Sequence, residues 1–386
     1  MELTTAAPLI SHSSPQREGT TDYLFVNNVR FLSMAAVVAL HNLGWMAALS
    51  GDRYSSQLHL IMVQPFKFGT IGFYLISGFL MGEGLTRRSP REYLSRRLRT
   101  IFAPWLLWFS LFCVMQIAND ILLGRLDLHA RHNIFSQLFD HIYSALFSTA
   151  YWFVPNLLIS LCILLLCGHF LYNLRLGLTL AALSLFYGLN LYTHWIAALS
   201  HTHALFGYVF YLWLGAWTAH HAAAVMAWIA RIPMPAMIAL AVLAWCAALC
   251  ESEFLSASGP GDPLYTLRIS NQFYSVAMVL AIFKVRKALW PRVVNVRATT
   301  FGVYLSHGIV LALLMKTFRF IKLGGIASRL SDSSAVPIVC FALVGFAITY
   351  ASSLALTMWL LHYPRLRWTV GNFASVRPWQ SAGKPL

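Results

Sequence analysis

The chain has 386 residues, of which 58% are hydrophobic and 11% charged, and its formal net charge is +15. This composition excludes a soluble globular domain of that length and indicates a membrane protein with many spans. The basic residues are spread over short segments between apolar stretches, which disfavours a nucleic-acid partner and favours contact with the lipid bilayer.

Residues 1–20 are polar and lack the basic start and apolar centre of a secretory signal, so we interpret them as a disordered polar tail. Ten later stretches have the length that a helix needs to cross a hydrocarbon core. They are residues 25–49, 67–83, 101–123, 150–173, 175–192, 203–222, 232–250, 268–284, 298–318 and 335–361. Long apolar runs, rather than short alternating segments, predict an all-α integral membrane bundle and not a barrel.

The positions of Lys and Arg predict the orientation of this bundle. With the N-terminus in the cytoplasm, the dense basic runs within 87–99 and 284–297 fall on the cytoplasmic side, as the positive-inside rule expects. The basic residues within 316–329 oppose this orientation. The sequence predicts an N-in, C-in topology, with a transmembrane domain over residues 21–362 and a cytoplasmic tail over residues 363–386.

All six cysteines lie within the apolar stretches, and none shows the C-x-x-C spacing of metal ligands. We interpret them as small core residues, and we expect no metal site.

The first predicted span contains two ionisable residues, Arg30 and His41. Their offset of eleven residues is close to three helical turns, so both side chains share one face, about 16 Å apart along the axis. Ionisable residues at membrane depth usually mark function. An arginine near a helix start also commonly extends to lipid phosphates, and a single histidine is often a hydrogen-bonded core residue.

The second span contains three glycines, Gly69, Gly72 and Gly78, and the polar residue Ser77 directly precedes the last of them. Such a stripe lets a neighbouring helix or a ligand approach the backbone closely. Helix packing explains it without a ligand, and the Ser77 hydroxyl is equally able to bond its own helix backbone.

Three later motifs add candidate residues. Arg96, Arg97 and Arg99 precede Pro104 at the start of the third span, where clustered arginines either clamp phosphates or anchor the helix at the membrane surface. Trp152 opens the fourth span, where tryptophan is typical of an interfacial belt. His307 lies near the middle of the ninth span, where it either faces the same cavity as His41 or packs in the core with a single hydrogen bond.

Together these motifs, in chain order, resemble the acyltransferase 3 family of integral membrane acyltransferases. The resemblance rests on Arg-x10-His in the first span, the glycine-rich Phe-x-x-x-Ser-Gly of 73–78, the arginine run ending in Pro104, Trp-Phe at 152–153 and Val-Tyr-Leu-Ser-His at 303–307. It covers residues 22 to about 361. One departure is that the arginine four residues before the proline is replaced by Thr100, which leaves the ligand among Arg96, Arg97 and Arg99 undefined.

The resemblance implies transfer of an acyl group, by default acetyl, from cytoplasmic acyl-CoA to a sugar hydroxyl of a surface or exported glycan. It places His41 as the general base and Arg30, Arg96, Arg97 and Arg99 as ligands of acyl-CoA. The candidate oxyanion or substrate contacts are Ser77, Gly78, His307 and Trp152. No acidic residue is visibly placed to orient His41, and no bound cofactor is expected, since acetyl-CoA is a co-substrate.

Further expectations concern the acceptor and the membrane. The acceptor is expected to be a glycan or a lipid-linked saccharide, and the membrane is expected to be a bacterial inner membrane. The competing interpretations are a transporter or flippase for a glycan or small solute, and a membrane scaffold without catalysis.

Overall fold

The computed structural model describes residues 24–50, 56–124, 134–196, 200, 202–258, 262–320 and 335–373. The predicted tail over residues 1–20 and most of the tail beyond residue 363 lie outside these ranges. Within them the chain is all-helical, as predicted, and contains no strand. Its α-helices are α1 (Leu24–Ser50), α2 (Ser56–Val63), α3 (Phe68–Leu85), α4 (Pro90–Arg97), α5 (Ala103–Leu122), α6 (Ile134–Phe147), α7 (Phe153–Leu166), α8 (Leu174–Thr193), α9 (Val209–His220), α10 (Ala222–Arg231), α11 (Met234–Ser258), α12 (Ile269–Lys284), α13 (Val296–Phe320) and α14 (Ala335–His362).

Seven helical segments in the described ranges are long and apolar enough to cross a membrane. They are Leu24–Trp45, Gln57–Leu85, Pro90–Leu122, Leu174–Thr193, Met234–Ser258, Val296–Phe318 and Ile338–His362. An eighth results if the bent pair Phe135–Phe147 and Ala150–Leu166 is one span. The remaining two predicted spans, 203–222 and 268–284, contain shorter helices, so the count of ten stays a prediction.

Small residues bring α3 and α9 into close contact. A methyl group at Gly78 would lie 1.9 Å from the carbonyl oxygen of Leu212, and one at Gly215 would lie 2.0 Å from that of Leu75. Gly82, one turn after Gly78, faces Ala216 and Ala219, which follow Leu212 on α9, so the two helices run in parallel. Gly69 and Gly72 instead face Ser33 of α1. The glycine-rich stripe is therefore a packing surface for two helices.

The fourth predicted span, residues 150–173, is not a simple straight crossing. Its helix α7 joins α6 through a break of 75° that includes a 3-10 turn at Ala150–Trp152. Thr149 caps that turn, since its hydroxyl oxygen accepts from the Tyr151 backbone N–H at 3.3 Å. The same hydroxyl donates to the carbonyl of Ala145 at 2.6 Å, so one side chain joins both halves of the break.

A fully buried arginine, Arg268, ties together the segments at one end of the bundle. Its guanidinium donates to the carbonyl of Ala248 at 2.8 Å and to Gln64 Oε1 at 2.6 Å, and it also bonds the Ser252 hydroxyl. A buried cation is tolerable only when its donors are satisfied in this way. Arg268 therefore joins α11 to the segment that precedes α3.

The first and last described segments meet at the opposite end. Arg30 of α1 and Gly371, which follows α14, line the same cavity. Trp108 of α5 fixes this last segment by donating its indole N–H to the carbonyl of Thr369 at 2.9 Å. Because both segments lie at one end of the bundle, we expect an even number of membrane crossings between them.

Candidate active site

The end of the bundle that holds Arg30 contains a cavity of about 360 Å³, which we call the basic mouth. Six arginines line it, with Glu83 as the single carboxylate among the lining residues: Arg30, Arg87, Arg88, Arg96, Arg97 and Arg297. This excess of positive charge suits a ligand that carries several phosphate groups.

A narrower cavity of about 220 Å³ continues from the basic mouth into the bundle, and we call it the inner cavity. The two cavities share Arg30, Arg97 and Arg297 at their boundary. Deeper in, the lining changes to aromatic and aliphatic side chains, with the Ser77 and Tyr304 side chains among them. The lining of the site therefore changes from cationic at the surface to largely apolar inside the bundle.

Helix geometry holds two of the boundary arginines in place. Arg30 donates from Nη1 to Oδ1 of Asn27, one turn earlier on α1, at 2.9 Å. Arg97 donates from Nε to the Tyr93 hydroxyl at 2.9 Å, and its guanidinium carbon lies 5.0 Å from the centre of the Tyr93 ring. A planar guanidinium held in this way keeps further donors for an anion.

Arg99 does not line either cavity, whereas Thr100 lines both. Residues Leu98–Phe102 form a π-helical turn, which adds a residue to the helix and shifts the register between α4 and α5. Arg96 lies in the basic mouth only. Of the three predicted donor ligands in this run, Arg97 is the one that reaches both cavities.

Arg297 is a boundary residue that the sequence did not single out. It lies in the first turn of α13, within the basic run of residues 284–297, from which the sequence predicts only the orientation of the bundle in the membrane. Arg297 and His307 are ten residues apart on α13, and Arg30 and His41 are eleven apart on α1. Each helix thus places an arginine at the cavity boundary and a histidine about three turns deeper, near 15 Å along the axis.

The two histidines lie together inside the bundle. Their ring centroids are 5.2 Å apart. His41 Nδ1 lies 2.8 Å from the carbonyl oxygen of Val37, and His307 Nδ1 lies 2.6 Å from that of Tyr304. Because a carbonyl oxygen only accepts, each Nδ1 carries the hydrogen, and in the neutral ring the lone pair lies on Nε2.

This tautomer decides what the pair can bind. His307 Nε2 is buried and makes no hydrogen bond to any residue within the described ranges. The lone pair of His307 Nε2 suits a group that brings a hydrogen atom, such as a hydroxyl, better than it suits an oxyanion. The carbonyl of Val37 also orients the His41 ring, a role for which the sequence offers no carboxylate.

The other predicted contacts lie in different surroundings. Ser77 lines the inner cavity, as does Tyr304. Gly78 faces the carbonyl of Leu212 on α9 rather than the inner cavity. Trp152 is 7% exposed and packs against Tyr208, with ring centroids 5.4 Å apart, so it lies in the core rather than in an interfacial belt.

The break between α6 and α7 is bonded to the helix that carries His307. Tyr304 donates its hydroxyl to the carbonyl of Ala150 at 2.6 Å, and Tyr151 donates to that of Leu305 at 3.0 Å. Trp105 of α5 donates to the Tyr151 carbonyl at 3.0 Å. These bonds fix the inner end of the inner cavity, which Tyr304 lines. Tyr304 belongs to the Val-Tyr-Leu-Ser-His motif, in which the sequence predicts only His307 as a candidate.

Among the residues that line the two cavities, Glu83 is the single acidic side chain. In the part of the chain that the structure describes, no group of three or more His, Cys, Asp or Glu side chains is placed to hold a metal ion. The pair of His141 and Asp120, with Nε2 and Oδ2 2.9 Å apart, joins α6 to α5 away from the lining of both cavities.

Fold and site together define an integral membrane protein with a cationic cavity and, outside its lining, a pair of histidines of which His307 is buried and His41 half-buried. The profile of the acyltransferase 3 family, described as an acyltransferase domain, matches residues 23–358. The chain belongs to this family, and it is a membrane acyltransferase, as the sequence motifs predicted. No curated protein and no solved structure matches the chain.

Proposed function

We propose that this protein transfers an acyl group, by default acetyl, from cytoplasmic acyl-CoA to a hydroxyl of a surface or exported glycan, in a bacterial inner membrane. The observation that carries the proposal is that α1 and α13 place the same two residue types at matching positions. Each helix has an arginine at the cavity boundary and a histidine about three turns deeper. This arrangement matches a donor with phosphates at one end and a reactive thioester at the other.

The basic mouth is the proposed site for the phosphates of acyl-CoA. Arg30, Arg97 and Arg297 would hold them from three different helical segments, with Arg96 further out. Bidentate hydrogen bonds from guanidinium groups suit phosphate oxygens. The pantetheine arm would then lie in the inner cavity, whose largely apolar lining fits its chain of methylene and amide groups. Basic residues at this end favour a cytoplasmic location.

The proposed chemistry is a direct acyl transfer. The acceptor hydroxyl oxygen attacks the thioester carbonyl carbon while His41 Nε2 takes the hydroxyl proton. The tetrahedral intermediate then expels the CoA sulfur, the imidazolium returns its proton to that sulfur, and the products are an ester and CoA thiol. His307 Nε2 would accept a second hydrogen bond from the incoming hydroxyl group or a neighbouring hydroxyl of the acceptor, and so position it.

The developing oxyanion requires a hydrogen-bond donor. The Ser77 hydroxyl is our candidate because it lines the inner cavity. The backbone N–H of Gly78 is a poorer one, since it lies inside α3, where helix hydrogen bonds use the N–H groups. Trp152 would act indirectly, by supporting the packing around the break between α6 and α7.

The acceptor is proposed to be a glycan or a lipid-linked saccharide, because a sugar hydroxyl supplies a hydrogen atom to His307 Nε2, a buried acceptor without a partner among the described residues. Mass spectrometry of cell-surface glycans and glycolipids tests this directly. We compare cells that carry the wild-type protein, a deletion, His41→Ala and the control His169→Ala, whose histidine is exposed outside both cavities.

An ester mass increment present in wild type and His169→Ala but lost in the deletion and His41→Ala would support the proposal and identify the acyl group. Identical profiles in all four strains would reject a glycan acceptor. Release of free CoA that depends on acceptor separates a transferase from a transporter, since transport alone releases none. Arg30→Ala should raise the apparent KM for acyl-CoA, and an unchanged donor dependence would reject its role.

A further inference from the structure

A second cavity, which we call the apolar cleft, lies at the same end of the bundle but on the other side of α1 and α3. Its volume is about 410 Å³, within the usual range of ligand sites. The lining comes from α1, α3, α9, α10 and α12 and includes Phe25, Ile76, Trp217, Trp228 and Phe283. Thr218 is the single side chain with a hydroxyl among the lining residues, so the cleft has almost no polar group to offer.

The apolar cleft opens toward the membrane rather than toward the basic mouth. Trp228 and Ala224 of α10 are exposed along it, and Trp228 keeps 53% of its surface accessible. In a membrane-spanning chain, exposed apolar surface at this position faces lipid. Tryptophan side chains are typical of the level where hydrocarbon meets headgroups, which places the cleft at that boundary.

A cationic rim borders the apolar cleft. Lys284 follows the lining residue Phe283, and its Nζ donates to the carbonyls of Ile229 at 3.1 Å, Ala230 at 3.3 Å and also Ile232, so it contributes positive charge rather than a free donor. Arg231 and Arg286 are exposed and lie within three residues of Ile229 and Phe283. No Asp or Glu occurs in residues 141–250 or 263–331, so the sequence around this rim supplies no counter-charge.

We propose that the apolar cleft binds one hydrocarbon chain of an anionic phospholipid, whose phosphate lies against the rim of Arg231, Lys284 and Arg286. The apolar lining selects a hydrocarbon chain, and the unbalanced cations select a negative headgroup. Ile76 lines both the apolar cleft and the inner cavity, so a bound chain packs against the wall that separates lipid from the catalytic site.

Native mass spectrometry of the purified full chain tests this proposal, with palmitoyl-oleoyl phosphatidylglycerol or phosphatidylcholine added as the probe. We expect one phosphatidylglycerol to bind about thirtyfold more tightly than phosphatidylcholine, because two exposed cations near a lipid surface favour the anion to this extent. Ala224→Trp should fill the cleft and remove the tightly bound lipid. Ala223→Trp is the matched control, since Ala223 is exposed on the same helix but does not line the cleft.

The double variant Arg231→Gln and Arg286→Gln separates headgroup recognition from filling of the cleft. It should reduce phosphatidylglycerol binding to the level of phosphatidylcholine and leave the latter unchanged. Equal binding of both lipids to wild type, unaffected by Ala224→Trp, would show only surrounding bilayer lipid and overturn the proposal. Displacement of phosphatidylglycerol by an undecaprenyl phosphate would instead assign the cleft to the chain of a lipid-linked acceptor.

Two further measurements check that the variants fold and locate the bound lipid independently. Each variant is compared with wild type by size-exclusion chromatography. On wild type alone, a phosphatidylglycerol with a photoreactive diazirine in its acyl chain should label peptides from α10 and α12, and labelling spread evenly over all lipid-facing helices would contradict the assignment.

Discussion

The imidazole rings of His41 and His307 are oriented by backbone carbonyls of their own helices, Val37 and Tyr304. A carbonyl fixes the tautomer but does not bring the full negative charge with which a carboxylate stabilises an imidazolium. In this tautomer each ring presents Nε2 as its proton acceptor.

Removing His41 should affect catalysis and not donor binding. We expect His41→Ala to lower kcat by about 10²–10⁴-fold, the usual contribution of a general base, with little change in the KM for acyl-CoA. His307→Asn should lower kcat less, since the amide can still accept one hydrogen bond. The measurement is acceptor-dependent CoA release by purified protein. A greater loss in His307→Asn than in His41→Ala would exchange the two roles.

Arg297 supplies the second prediction at this scale. Arg297→Ala should raise the KM for acyl-CoA about tenfold or more and change kcat little, because hydrogen bonds to charged groups contribute about 1.5–3 kcal/mol each. Arg297→Lys should recover only part of the loss, since an ammonium does not bind phosphate in a bidentate manner.

Arg292→Ala is the matched control for Arg297. Arg292 is exposed in the segment just before α13 and lines neither the basic mouth nor the inner cavity. Equal changes in the KM of the two variants would indicate a general effect of surface charge on the approach of the donor rather than a contact made by Arg297.

Single helices explain which parts of the site could be predicted from the sequence. The face shared by Arg30 and His41 follows from helical periodicity within one segment, and so does the membrane-spanning character of α1. The contact between α1 and α13 does not follow from periodicity. Arg297 lies more than 250 residues after Arg30, and only tertiary packing brings it to the cavity. Nor did the chain signal the break before Ala150, where no proline interrupts the helical pattern.

The contact between α3 and α9 supports a prediction at the scale of helices. Gly78→Ala places a methyl group 1.9 Å from the Leu212 carbonyl and should force the helices apart. Overpacking of this kind costs about 1–3 kcal/mol, so the midpoint of thermal unfolding should fall. Heating followed by size-exclusion chromatography of the detergent-purified protein measures this.

Gly44→Ala is the control on another helix. A methyl group there meets nothing within 4 Å, and alanine favours the helix more than glycine by about 0.5–1 kcal/mol. We expect unchanged or slightly raised thermal stability. A similar loss in both variants would mean that glycine itself, rather than the close approach of α9, is what the helices require.

The whole molecule places its charge unevenly. The basic mouth, the cationic rim and the last described segment share one end, whereas Arg268 lies buried at the other with its donors satisfied. Composition predicted a membrane bundle because hydropathy depends on each residue alone. The number of membrane crossings is harder to predict from the sequence. Helices such as α9 and α12 pack inside the bundle but are too short to be recognised as independent spans.

The meeting of Arg30 and Gly371 at one end predicts the topology. Reporter fusions at the N-terminus and after residue 373 should both report a cytoplasmic location, and a reporter after His194, at the end of α8, should report the other side. Green fluorescent protein and alkaline phosphatase, active on opposite sides of a bacterial inner membrane, make the measurement. Fusions at the two termini that report opposite sides would require an odd number of crossings.

The basic mouth also has a consequence for biosynthesis. Arg30 belongs to the first helix of the described chain, whereas Arg297 and Gly371 are made much later. A ribosome-bound chain that has released only its early helices therefore lacks part of the mouth and has no His307 beside His41. Under the proposed function, the growing chain is expected to be unable to use acyl-CoA until the last helices have joined the first in the membrane.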